Sequence, residues 1–113
     1  MHFAIVEDTE SDRKTLQELI FANCSRHGET VEFSFYPSGE AFLEAFHPGL
    51  FSAVFMDIML DRKGKNGMET AKELRKTALR LPIIFTTMEP EFSLEGYEVH
   101  PLDYLLKPVD PSK

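Results

Sequence analysis

The sequence has no tryptophan and a single cysteine, Cys24. One thiol excludes an intramolecular disulfide and a thiolate metal cluster, and its place in a helical pattern reads as a buried or half-buried core thiol in a reducing compartment. An excess of positive charge is also missing: the formal net charge is −7, which argues against non-specific attraction to nucleic acid or anionic membrane. No apolar run reaches membrane-spanning length, and the first residues enter a strand pattern without the basic and apolar regions of a signal peptide. Internal repeats and low-complexity segments are absent too. What remains is a soluble, cytoplasmic chain, and its 113 residues make one domain with room for a single core.

The organising stretch is Val54-Phe55-Met56-Asp57-Ile58, an apolar run interrupted by one carboxylate. Such a run reads as a strand buried on both faces, with Asp57 at its carboxyl end. The opening repeats the arrangement, since Phe3-Ala4-Ile5-Val6 is followed at once by Glu7-Asp8. Open parallel sheets bind ligands at that rim.

Between these strands the periods alternate. Thr9 and Asp12 form a capping box for a first helix over roughly 10–26, carrying Leu16, Leu19, Ile20 and Cys24 and stopped by His27-Gly28. Val31, Phe33 and Phe35 alternate with polar residues, which predicts a strand at a sheet edge. Pro37-Ser38-Gly39 opens a short helix with Ala41, Phe42, Leu43 and Phe46, closed by His47-Pro48-Gly49. After the third strand, at about 53–57, a polar loop runs from Leu60 to Asn66. Asn66 and Glu69 cap a third helix with Met68, Ala71, Leu74 and Ala78 on its apolar face, ending before Pro82. A fourth strand covers 82–87, a fourth helix runs from Pro90 to about Tyr97 or Glu98, and Asp103-Tyr104-Leu105-Leu106 is a fifth strand. Strands and helices alternating at this spacing define an α/β fold with parallel strands and right-handed crossovers. The sequence stops after Lys113, where a fifth covering helix would begin, so the chain reads as cut from a longer protein.

Every strand with a polar end presents it at the same rim: Glu7 and Asp8, Asp57, Thr86 and Thr87, then Lys107. Three neighbouring carboxylates repel one another unless they take up protons or a cation. Hard oxygen ligands favour Mg²⁺ with retained waters, a site type that works beside phosphate. Lys107 and a threonine hydroxyl suit the anion, and a carboxylate can itself attack phosphorus to give an aspartyl phosphate. His2, His27, His47 and His100 have no ligand spacing and read as surface residues, while Phe33, Phe35, Phe42, Phe46, Phe51, Phe55 and Phe85 read as core by period.

Glu7-Asp8, Asp57, Thr87 and Lys107-Pro108 fall in the order and spacing of the receiver domains of two-component response regulators, which this sequence resembles. The stretches IIFTTMEPEFSLEGYEV and LDYLLKP are further similar to the subgroup whose receivers precede a LytTR-type DNA-binding domain. That output domain is absent here. The resemblance implies a flavodoxin-like (CheY-like) doubly wound sheet of five strands in the order 2-1-3-4-5. It implies that Asp57 accepts a phosphoryl group from a histidine kinase, and that Asp8, Asp57, the Met59 carbonyl and Glu7 hold Mg²⁺. Lys107 would pair with Asp57 and then with the phosphoryl oxygens. Thr87 would bind a phosphoryl oxygen, and Tyr104 would be the aromatic that swings when Thr87 moves. A phosphorylation switch rather than a turnover enzyme follows, with dimerisation or output contacts on helix four and strand five, and DNA reached only through the output domain.

Departures from the family pattern cluster after Asp57. Asp61 stands where many receivers have proline, and Gly67 lies ten past Asp57 rather than eight, so two residues are inserted along with basic side chains. By resemblance Met59 and Glu89 tune hydrolysis, and Met88 replaces a commonly small residue. Two rival readings are a receiver-like module that binds a partner without being phosphorylated, and a phosphatase-type enzyme built on Asp57-x-x-x-Asp61.

Overall fold

A computed structural model describes residues 1–58, 66–78 and 80–86 and the backbone of 87 and 103–106. The element order is β1 (His2–Val6), α1 (Glu10–Arg26), β2 (Glu32–Tyr36), α2 (Gly39–Ala45), β3 (Ala53–Asp57), α3 (Gly67–Leu74), β4 (Ile83–Thr87) and β5 (Asp103–Leu106). The strands form one five-stranded sheet in the order β2-β1-β3-β4-β5, and each adjacent pair is parallel. This is the flavodoxin-like architecture that the resemblance implies, with β2 at an edge. The expected fourth helix, the loop 59–65 and the region after Leu106 lie outside the described residues.

Alternation along the central strands sends side chains into two apolar layers. One contains Ala4, Val6, Val54, Met56, Ile58, Ile83 and Phe85 packed with Phe42 of α2 and Met68, Ala71 and Leu74 of α3. The other packs Phe3, Ile5 and Ala53 against Leu16 and Ile20 of α1. Cys24 sits half-buried beside this second layer. Helices on both faces explain why β1 and β3 read as continuous apolar runs.

Helix ends follow local chemistry. Ser38 Oγ accepts the Ala41 N–H at 3.1 Å and starts α2. At α3 the Asn66 side chain accepts the Glu69 N–H at 2.8 Å while Glu69 Oε1 accepts the Asn66 N–H at 3.3 Å, the reciprocal box read from the sequence. Gly28, at φ +71°, lets the chain leave α1 in the left-handed region, where a side chain would be strained.

Four expectations are corrected. Thr9 is the N-cap of α1, but its side chain makes no capping hydrogen bond. Its hydroxyl turns back to Asp8 Oδ1 at 3.5 Å, so Thr9 and Asp12 form no box. Ala78 lies beyond α3, because the N–H groups of Lys76 and Thr77 bond to carbonyls three residues back and tighten the last turn. Arg75 fixes that turn by donating to the carbonyls of Ala78 (2.6 Å) and Leu81 (2.7 Å), and its half-burial lowers its pKa from the usual guanidinium value. Phe35 is 38% exposed, since β2 is an edge strand of the sheet. His2 is half-buried, its ring 4.7 Å from that of Phe51 and its Nε2 2.7 Å from Ser34 Oγ.

Candidate functional site

Parallel register builds the acidic rim. Val6 of β1 lies opposite Met56 of β3, so the next residues, Glu7 and Asp57, leave the two strands side by side. Asp8 follows one residue later. Candidate ligand oxygens of Glu7, Asp8 and Asp57 all lie within 4.8 Å of one another. Glu7 and Asp57 are buried, at 2% and 4% exposure, whereas Asp8 faces solvent. Removing two carboxylates from water strengthens their mutual repulsion, and a cation relieves it.

Backbone contacts hold these groups. Glu7 donates its N–H to the Tyr36 carbonyl at 3.0 Å, and Glu7 Oε1 accepts the N–H of Thr9 at 3.1 Å. Thr9 therefore aims Glu7 from the start of α1 through its backbone N–H, a role that sequence spacing did not reveal. Asp57 is opposite Thr86, and the N–H of Ile58 reaches the Thr86 carbonyl at 3.0 Å, extending the ladder one step past the acid. Thr86 is buried at 2% exposure, in keeping with a structural strand residue.

The spacing and donor type fit a small hard cation: oxygen ligands only, two buried and one exposed. Glu7, Asp8 and Asp57 are the residues that could hold Mg²⁺. Thr87 ends β4, the strand beside β3, and Tyr104 lies in β5, one strand further out and opposite Phe85. Met59 and Lys107, the remaining members of the expected set, lie outside the described residues.

A doubly wound parallel sheet with three acids at the carboxyl rim of its first and third strands defines a phosphorylation-type signalling module. The response regulator receiver domain family model matches residues 3–113, and the chain belongs to that family. The transcriptional regulatory protein DltR of Streptococcus agalactiae is 30% identical over 112 residues, covering 97% of this chain and 46% of that protein. The sensory transduction protein LytT of Bacillus subtilis is 38% identical over 60 residues, 53% of this chain and 24% of that one. These relatives support the LytTR-type subgroup read from the sequence. The chain thus spans less than half the length of either. Among solved structures, the response regulatory domain of mrkE from Klebsiella pneumoniae superposes with a TM-score of 0.82 at 26% identity, covering 99% of this chain and 87% of that one. Among the described residues, no helix is long and apolar enough to cross a membrane.

Proposed function

We propose that Asp57 accepts a phosphoryl group from a sensor histidine kinase, with Mg²⁺ at the Glu7–Asp8–Asp57 cluster, and that the change is passed to an output. The observation that carries this reading is the convergence of those three carboxylates within 4.8 Å at the end of β3. A carboxylate oxygen of Asp57 forms the new O–P bond as the P–N bond to the kinase imidazole breaks. The imidazole leaves with the electron pair and takes a proton from solvent. Such a transfer needs positioning and charge neutralisation more than further covalent chemistry. Bound Mg²⁺ supplies part of that neutralisation. Glu7 and Asp8 supply the anionic seat for it, and the Thr9 amide keeps Glu7 turned toward the seat.

By the family's pattern, the Met59 carbonyl completes the metal ligands, Lys107 pairs with the phosphoryl oxygens, and Thr87 with Tyr104 relays the change toward the helix-four and strand-five surface. That surface would serve dimerisation or output contacts. The output is transcription, in line with the name of the DltR relative, and acts on DNA through a separate domain. The chain works in the cytoplasm as a switch that phosphorylates and dephosphorylates itself rather than as a turnover enzyme.

Incubation with acetyl phosphate, with and without Mg²⁺, followed by intact-mass measurement, tests the proposal. A Mg²⁺-dependent gain of one phosphoryl that is lost in Asp57→Asn is the expected result. A folded chain that gains none would instead be a receiver-like binding module, and hydrolysis of small phosphate esters would point to the phosphatase-type reading.

A further inference from the structure

Gly67, the first residue of α3, sits directly against the backbone of the proposed phosphoacceptor. A Cβ built on it would come 2.1 Å from the Asp57 carbonyl oxygen and 2.7 Å from Ile58 Cα. Its N–H donates to the Ile58 carbonyl at 2.8 Å. The close approach is between two backbones, with no flexible side chain between them to yield. Both partners are also anchored elsewhere. On one side, β3 is held through the Ile58 N–H to Thr86. On the other, α3 is held by the Asn66–Glu69 box and by Met68, Ala71 and Leu74, all in the core.

From this geometry we infer that Gly67 is a positioning residue for Asp57, and that the start of α3 fixes how Asp57 faces Glu7 and Asp8. The inference rests on the phosphoacceptor reading of Asp57. Although Gly67 lies ten past Asp57, it seats on the carbonyl of the acid. A methyl group at 67 must push the two backbones apart by about an ångström, and a misplacement of that size in a transfer site costs on the order of a hundredfold in rate.

The test compares native chain, Gly67→Ala and Leu74→Val, a destabilising control buried in the same helix away from the Asp57 contact. Each is assayed well below its own melting temperature for phosphoryl uptake from acetyl phosphate at varied donor and Mg²⁺ concentrations. The expected result is a rate at saturating donor lowered about a hundredfold in Gly67→Ala, a raised Mg²⁺ midpoint, and little change in the half-saturating donor concentration, with Leu74→Val like the native chain. A folded Gly67→Ala with native rate and midpoint overturns the inference. So does an equal loss in Leu74→Val, which would make the effect one of stability. If Gly67→Ala does not fold, Asn66→Ala decides: it frees the α3 start without adding bulk, and a several-fold slower uptake supports the positioning role while a native rate overturns it. Failure of the native chain to take up phosphoryl would instead refute the phosphoacceptor reading itself.

Discussion

Thr86 and Asp57 are register partners in adjacent parallel strands, and the Thr86 carbonyl accepts the Ile58 N–H at 3.0 Å just beyond them. Thr86 thus serves the site through its backbone, which any side chain retains. Thr86→Val is expected to take up phosphoryl at a rate within about threefold of native while losing about 1 kcal/mol of stability with its hydroxyl. Thr87→Ala, by contrast, should slow uptake by about tenfold or more, as loss of a donor to the transferring group does. Intact-mass time courses of the two variants separate the roles of these neighbouring threonines.

Clustered carboxylates make stability sensitive to divalent cations. Adding Mg²⁺ to a hundredfold excess over its dissociation constant should stabilise the fold by about 2.7 kcal/mol, several degrees in melting temperature. Asp8→Asn removes one member of the repelling set, so it should melt higher than the native chain without Mg²⁺ and gain less when Mg²⁺ is added. A native melting temperature indifferent to Mg²⁺ would contradict the metal assignment. Calorimetry in chelated and Mg²⁺-loaded buffer reads both effects.

Much of this was legible in the sequence. The apolar runs ending in acids predicted β1, β3 and the rim, because a buried parallel strand has no polar face to confuse the period. The Asn66–Glu69 box was readable since both residues suit a reciprocal cap. Thr9 with Asp12 looked alike but failed, as aspartate is a methylene shorter than the usual partner and the Thr9 hydroxyl turns instead to Asp8. Edge-strand Phe35 and the His2–Ser34 pair were missed because their burial depends on which strands become neighbours. Nothing local to Gly67 announced its contact with Asp57, which arises from how α3 docks on the sheet.

Helix docking leaves a second close approach to test. A Cβ at Gly39 would lie 1.9 Å from Thr70 Oγ1, and Thr70 is fully buried with that oxygen donating to the Asn66 carbonyl at 2.8 Å. Gly39→Ala should therefore cost about 2 kcal/mol through overpacking. Combined with Thr70→Ala, which removes Oγ1 and Cγ2 from the close approach, the double variant should be more stable than the sum of the single losses by about 1 kcal/mol. Urea unfolding of the four proteins closes the cycle.

Two phenylalanines set the contrast between core and surface. Phe42 is fully buried among Tyr36, Phe46 and Phe51, and Phe42→Ala should cost about 3–5 kcal/mol. Phe21, on α1, is 57% exposed, and Phe21→Ser should stay within about 0.5 kcal/mol of native. Denaturant midpoints with unchanged slopes would confirm both values.

The pairing of β1 with β3 also governs when the acidic site comes into being. Glu7 and Asp8 meet Asp57 only across a strand contact that joins Phe3 to Ala53 and Val6 to Met56, far apart along the chain, with α1, β2 and α2 intervening. Such non-local closures are slow to form. On the proposed metal reading, a refolding chain should gain its Mg²⁺ seat only once β1 and β3 have paired, so the appearance of Mg²⁺ binding would time the joining of the two halves.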